Sequence, residues 1–199
     1  MTALLIATDN AGKLREYRQL LGGLPVTLLS PAERNLQLDV AELGASFAEN
    51  AALKAVAYAR ASGLLTLADD SGLEVDALGG EPGVRSARYA GAGADDAGRI
   101  AFLLAKLRDV PWPARSARFR CVIAVTRAEG PVFLAEGTCP GYIAFAPEGT
   151  RGFGYDPVFY LPALGKTMAQ LRPAEKNRLS HRAAAAQAAR PTLARLVDP

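Results

Sequence analysis

The sequence predicts an α/β fold, and three observations carry that prediction. Short apolar runs alternate with helix-spaced segments through the first third of the chain. A capping signature marks a helix start at Ser46, and a long alternating strand pattern follows in the middle. Residues 3–7 form a short apolar run of the kind that makes a buried strand. Leu14, Tyr17 and Leu21 then fall at helical spacing, and residues 26–29 read as a second strand. Ser46 and Glu49 form an S-x-x-E capping pattern ahead of an Ala- and Leu-rich run to Ala61. Residues 64–68 read as another buried strand that ends at Asp69-Asp70-Ser71-Gly72.

The second half has a different texture. Asp95 or Asp96 can cap a helix with Ile100, Leu103, Leu104 and Leu107 on one stripe. Ala117, Phe119, Cys121, Ile123 and Val125 alternate with Ser116, Arg118 and Arg120, which predicts a long half-buried strand. Glu129-Gly130-Pro131 turns the chain into an antiparallel partner at 132–135, and 142–145 reads as a third strand. The Ala-rich C-terminal segment is expected to be a helix interrupted at Pro191. Together these predict a mixed sheet with helices on both faces, in two lobes around a cleft.

Composition narrows the function classes. The 199 residues are 50% hydrophobic and 22% charged, an ordinary globular balance. A chain of this length can bury about 70% of its unfolded surface without staples. The net charge of +3 suits an anionic small molecule, and no basic stripe suggests nucleic acid. Cys121 and Cys139 show no metal spacing and are expected to be buried free thiols, which points to a reducing compartment. No apolar stretch approaches the ~18 residues of a membrane span, and the N-terminus lacks a signal pattern. A cytoplasmic protein without membrane or nucleic-acid partners is expected.

Four segments carry candidate chemistry. Thr8-Asp9-Asn10-Ala11-Gly12-Lys13 joins a strand to a helix, where backbone N–H groups, Gly12 and the Lys13 ammonium can receive phosphate. A plain turn capped by Asn10 competes with that reading, and no Walker motif is present. Asp70, at Asp69-Asp70-Ser71-Gly72, can hold Mg²⁺ or accept a proton from water. An Asx turn is its bland alternative. Only one of two adjacent carboxylates on an extended chain faces a given site. Glu42 offers a second metal carboxylate, against the reading of a solvated loop acid, and Asn50 and Lys54 share a helix face. Gly152-Phe153-Gly154-Tyr155-Asp156-Pro157 can present a ring to a nucleobase and a carboxylate to its nitrogens, or form a tight turn with Phe153 in the core. Lys176 and Ser180-His181-Arg182 are not one helical stripe, so a helix is expected to start near Ser180 and aim donors at a ligand. Lysine occurs only at positions 13, 54, 106, 166 and 176, and asparagine only at 10, 35, 50 and 177, so scarce residue types crowd into these segments.

Taken together the segments resemble the inosine triphosphate pyrophosphatase family, also called the Ham1 or RdgB-like family. The matching pieces are the 8–13 loop, Ser46-Phe47-Ala48-Glu49-Asn50-Ala51, Ala68-Asp69-Asp70-Ser71-Gly72-Leu73, Pro82-Gly83-Val84-Arg85-Ser86-Ala87-Arg88-Tyr89, the 152–157 loop and Ser180-His181-Arg182. They are collinear with the family over nearly the whole chain. Asp9 stands where the family often has Gly, and 31–39 matches poorly. The resemblance implies one domain, residues 1–199, with an elongated mixed sheet, two lobes and a central cleft, working as a homodimer. It implies Mg²⁺-dependent cleavage of ITP, dITP and XTP to monophosphate and pyrophosphate. It further implies that Asp70 is the proton acceptor and a metal ligand with Glu42. Thr8, Asp9, Asn10, Ala11, Gly12 and Lys13 would hold the triphosphate. Ser71, Phe153, Gly154, Tyr155, Asp156, Lys176, His181 and Arg182 would contact the nucleotide, with Arg182 and His181 donating to a 6-oxo group. A pyrophosphatase for modified pyrimidines and a non-catalytic nucleotide sensor are the alternatives.

Overall fold

A computed structural model describes residues 2–91 and 93–197. Seven strands form one sheet in the order β2-β1-β3-β4-β5-β6-β7. In chain order these are β1 (Thr2–Ile6), β2 (Val26–Leu29), β3 (Leu65–Val75), β4 (Ser116–Thr126), β5 (Phe133–Ile143), β6 (Phe159–Leu161) and β7 (Lys166–Thr167). The longer helices are α1 (Ala11–Leu20), α2 (Phe47–Ser62), α3 (Asp96–Lys106), α4 (Pro173–Leu179) and α5 (His181–Val197). The sheet is mixed: β1 pairs in parallel with β2 and β3, while β6 is antiparallel to β5 and β7. Residues 127–132 join β4 to β5, too short a link for a parallel crossover.

The chain divides into two compact units. The first comprises Met1–Asp70, Cys121–Gly137 and Arg182–Pro199. Its core gathers Leu4, Ile6, Leu65, Leu67, Cys121, Ile123 and Val125 from the sheet with Tyr17 and Leu21 near α1 and Ala185, Ala189 and Leu193 of α5. The alternate strand residues point to the other face. There α2 buries Phe47, Ala51, Ala55, Tyr58 and Ala59. The second unit comprises Ser71–Arg120 and Thr138–His181. Its core joins Leu73, Val75, Ala117 and Phe119 to Ile100, Leu103 and Leu107 along the α3 stripe, with Tyr155, Phe159 and Met168.

Four sequence expectations change. β3 does not end at residues 69–72 but runs on to Val75. β4 alternates in burial only over its first half; its second half is buried on both faces because helices cover both sides of the sheet there. The segments predicted at 132–135 and 142–145 fall on one strand, β5, which runs through Pro140 and leaves residues 132, 144 and 145 outside it. β6 pairs only with Tyr142 and Ile143, so β5 tolerates a missing N–H along its unpaired edge. Finally, α5 continues through Pro191. Pro191 and Gln187, whose carbonyl loses its partner, are both exposed, while the buried Ala189 and Leu193 hold the helix on the core on either side.

Candidate functional site

In the first unit, the 8–13 loop is built as a capped strand-to-helix turn. Asn10 is the N-cap of α1: its side chain accepts from the Lys13 N–H at 3.0 Å, and Thr8 Oγ1 accepts from the Asn10 N–H at 3.2 Å. Ala11 and Gly12 open the helix, and the exposed Asp9 lies within electrostatic range of Tyr58 on α2. The cap and the candidate ligand loop are therefore the same structure. It directs Lys13 inward, where Nζ meets Asp69 Oδ2 at 3.0 Å.

Asp69 is the charged residue that sequence reasoning passed over. It is 1% exposed, and it accepts from Arg182 Nη2 at 3.3 Å and Nε at 3.4 Å as well as from Lys13. Burial would raise its pKa, but Lys13, Arg182 and Lys54 together hold the carboxyl well below the usual carboxylate range. Arg182 in turn donates through Nη1 to Glu16 Oε2 at 2.7 Å and is 1% exposed. Its guanidinium is held by Asp69 and Glu16, because a buried carboxylate needs a buried partner.

Asp70 has the opposite environment. It lies in the interior of β3, so the strand-end and Asx-turn readings are both replaced. Its Oδ2 accepts from Asn50 Nδ2 at 2.9 Å, while Asn50 Oδ1 accepts from the Gly44 N–H at 2.8 Å. A Cβ at Gly44 would stand 2.7 Å from that Oδ1, so the loop before α2 needs glycine to clamp Asn50 in this orientation. Burial, then the charge of Glu42, raises the Asp70 pKa against the lowering effects of Asn50, Lys54 and Lys13. Glu42 is a loop acid with a partner: Lys54 Nζ meets its Oε1 at 2.6 Å and also donates to the Asp69 carbonyl at 3.1 Å. Asn50 and Lys54, one turn apart on α2, both reach this strand. Their i,i+4 spacing was the signal available in the sequence.

Among the described residues no group of three or more His, Cys, Asp or Glu side chains forms a metal cage. Glu42 and Asp70 nonetheless make an all-oxygen pair whose carboxylates burden one another electrostatically. Hard oxygen donors in that number suit a cation that takes one or two carboxylates and fills its other positions with water and phosphate.

In the second unit, the 152–157 loop is held from several sides. Asp156 Oδ2 accepts from Lys176 Nζ at 2.5 Å and from the Phe153 N–H at 3.0 Å. Both Asp156 and Lys176 are buried. Lys176 Nζ lies 4.6 Å from the Phe153 ring centroid, and the half-buried ring stays outside the core cluster. The Asp156 carboxylate neutralises Lys176 and closes the loop. Gly152 sits at φ 79°, and a Cβ there would fall 1.9 Å from Asp156 Oδ2, so only glycine admits this closure. Gly154 N donates to Asp96 Oδ2 at 2.6 Å, and Tyr155 is buried with its hydroxyl donating to the Ser86 carbonyl at 3.0 Å. Ser86 is thereby the anchor of the Pro82–Tyr89 segment, accepting from the Leu73 N–H at 2.9 Å and donating to the Gly83 carbonyl at 2.6 Å. Ser71 lies half-buried in β3. Lys176 ends in α4, and His181 opens α5 after Ser180 in extended backbone, as the spacing predicts. The His181 ring is buried and stacks on Phe119, with centroids 4.7 Å apart.

Cys121 and Cys139 are free and buried; burial first, and nearby carboxylates second, push their thiols to about 12 and about 11. No helix among the described residues is long and apolar enough to cross a membrane.

Comparison with known proteins identifies the family. Residues 4–192 match the Ham1 family. The chain is similar to the dITP/XTP pyrophosphatase of Geobacillus kaustophilus, at 55% identity over 93% of this chain and 91% of that protein. It is also similar to the dITP/XTP pyrophosphatase of Methylococcus capsulatus, at 51% identity over 92% of each. Among solved structures, a HAM1 protein from Coxiella burnetii superposes with a TM-score of 0.87 at 41% identity, covering 99% of this chain and 98% of that one.

Proposed function

This chain belongs to the Ham1 family, and we propose that it hydrolyses deaminated purine nucleoside triphosphates, namely dITP, XTP and ITP, to the monophosphate and pyrophosphate. The observation that carries the reading is the pair of adjacent carboxylates on β3 with opposed environments. Asp69 is held ionised by Lys13 and Arg182, whereas burial and Glu42 raise the proton affinity of Asp70. Neighbouring acids pushed apart in this way divide the labour of charge stabilisation and proton transfer.

In this reading Asp70 accepts the proton of a water whose oxygen attacks the α-phosphorus. The bond from that phosphorus to the bridging oxygen breaks, and pyrophosphate leaves with the bridging electrons. Asn50 holds the Asp70 carboxylate in orientation through the clamp on Gly44. Lys13 and the first turn of α1 bind the polyphosphate, and Asp69 keeps the Lys13 ammonium in place. Glu42 and Asp70 would hold Mg²⁺, which supplies charge neutralisation at the phosphate oxygens. Phe153 offers its ring to the base, with Gly154, Tyr155 and Asp156 shaping its loop; Lys176, His181 and Ser71 complete the nucleotide-binding set. The two units are read as one domain, residues 1–199, of a homodimer. The free thiols favour the cytoplasm, where nucleotide pools are kept.

The test is a panel of ITP, dITP, XTP, GTP and ATP with Mg²⁺, following pyrophosphate and orthophosphate separately. Rapid pyrophosphate release confined to the deaminated purines is expected. Orthophosphate as the first product, or equal turnover of ATP, overturns the proposal.

A further inference from the structure

Two acids stand at the start of α3, and only one of them caps it. Asp95 is the N-cap, accepting from the Gly98 N–H through Oδ1 at 2.8 Å. Asp96, the first residue of the helix, has a different partner on each oxygen. Its Oδ1 is held by Arg99, one turn further along α3. Its Oδ2 accepts from the Gly154 N–H at 2.6 Å, across 58 positions of sequence. An acid in the first turn commonly serves the helix dipole, but that service does not require a reach into a distant loop. Arg99 carries the link further: its Nη1 donates to the Ala94 carbonyl at 2.6 Å and to the Ala87 carbonyl at 2.9 Å. Ala87 follows Ser86, whose carbonyl accepts from the Tyr155 hydroxyl at 3.0 Å. The contacts thus close a ring through Gly154, Asp96, Arg99, the 86–87 backbone and Tyr155. Every member of it belongs to the second unit.

We propose that Asp96 is a positioning residue for nucleobase recognition, acting through the backbone of Phe153. The proposal rests on the reading of Phe153 as the ring that meets the base. A peptide unit is planar, so fixing its N–H fixes the dihedral on either side of it. The peptide before Phe153 is pinned where its N–H donates to Asp156 Oδ2 at 3.0 Å. The peptide after Phe153 is pinned where the Gly154 N–H donates to Asp96. One carboxylate therefore sets φ of Phe153 and another sets ψ, and hydrogen bonds to ionised acceptors are the stronger class. Without the second, Gly154, at φ 62°, lets the chain turn through conformations closed to other residues. The Asp96 side chain is 43% exposed, so its pairing with Arg99 adds little to global stability. Its effect is local, since it holds the ring ready before the base arrives.

The test has two arms. In the nucleotide-free protein, amide hydrogen exchange at Gly154 is expected to be roughly tenfold or more faster in Asp96→Ala than in wild type. In steady-state kinetics with Mg²⁺, Asp96→Ala is expected to raise KM for dITP roughly tenfold and to leave kcat within about threefold, because a uniform binding contribution is lost. Inorganic tripolyphosphate carries the phosphate chain and no base, so its inhibition constant is expected to match in variant and wild type. Asp96→Asn keeps one acceptor oxygen and is expected to recover part of both effects. Circular dichroism checks that each variant is folded, and the asparagine variant stands in if the alanine variant is not. Unchanged exchange at Gly154, an unchanged KM, or a parallel weakening of tripolyphosphate overturns the proposal. A wild type inert toward dITP fails the hydrolytic reading, while the exchange arm still decides whether Asp96 fixes the loop, so the two failures are distinguishable.

Discussion

Asp69 and Asp70 are one peptide bond apart, yet opposite forces act on them. Asp69 is fully buried between Lys13 and Arg182, and its depressed pKa makes it a source of stability above the carboxylate range of the unfolded chain. That contribution is lost only as pH falls through the depressed value, in strong acid. Asp69→Asn leaves Arg182 and Lys13 short of a buried counter-charge. It is expected to cost about 3–5 kcal/mol, measured by urea unfolding at neutral pH. Asp70 has the reverse sign: its raised pKa favours the fold below the unfolded value, and that preference is lost as pH rises through the folded value. Asp70→Asn is therefore expected to retain or raise the stability of the metal-free protein at neutral pH while slowing pyrophosphate release by roughly 10²–10⁴-fold. A matching loss of stability would show that the carboxylate is structural. Asn50 lowers the Asp70 pKa by its hydrogen bond, so Asn50→Ala is expected to move the acid limb of the kcat/KM profile to higher pH. An unmoved limb would remove Asn50 from the positioning of the base.

At the scale of elements, the site rests on helix starts and one closed loop. Asn10 caps α1 and Ser46 caps α2, whose side chain accepts from the Glu49 N–H at 3.2 Å. These caps set the height at which Lys13, Asn50 and Lys54 meet β3. Both were legible, because a cap is decided within four residues. The 152–157 loop is a different case. Its glycines announce an irregular turn, but its closure depends on Lys176, twenty residues on, and on Asp96, far upstream. Gly152→Ala puts a methyl group against the Asp156 carboxylate at positive φ. It is expected to cost about 2 kcal/mol or more and to raise KM for dITP more than it lowers kcat. An equal effect on both constants would place this loop in the chemical step. β5 and α5 ran past Pro140 and Pro191 because an exposed or unpaired edge forgives the missing N–H, a property of position in the fold rather than of proline.

Across the whole molecule, charge sets how the protein responds to pH and metal. Mg²⁺ requires ionised carboxylates, and Asp70 resists ionising when the ion is absent. Added Mg²⁺ is therefore expected to raise Tm more at about pH 8 than at about pH 5. The difference should vanish in Asp70→Asn. An equal shift in that variant would place the cation elsewhere. The sequence by itself determined the α/β class, the helix starts and the free thiols, since periodicity, capping and cysteine spacing are local signals. Only the tertiary structure decided that two carboxylates stay inside a strand, that Lys13 and Arg182 meet Asp69, and that Lys176 meets Asp156. Their counter-charges arrive from opposite ends of the chain. The cost of burying a charge is settled by neighbours in space, which spacing along a strand or helix does not encode.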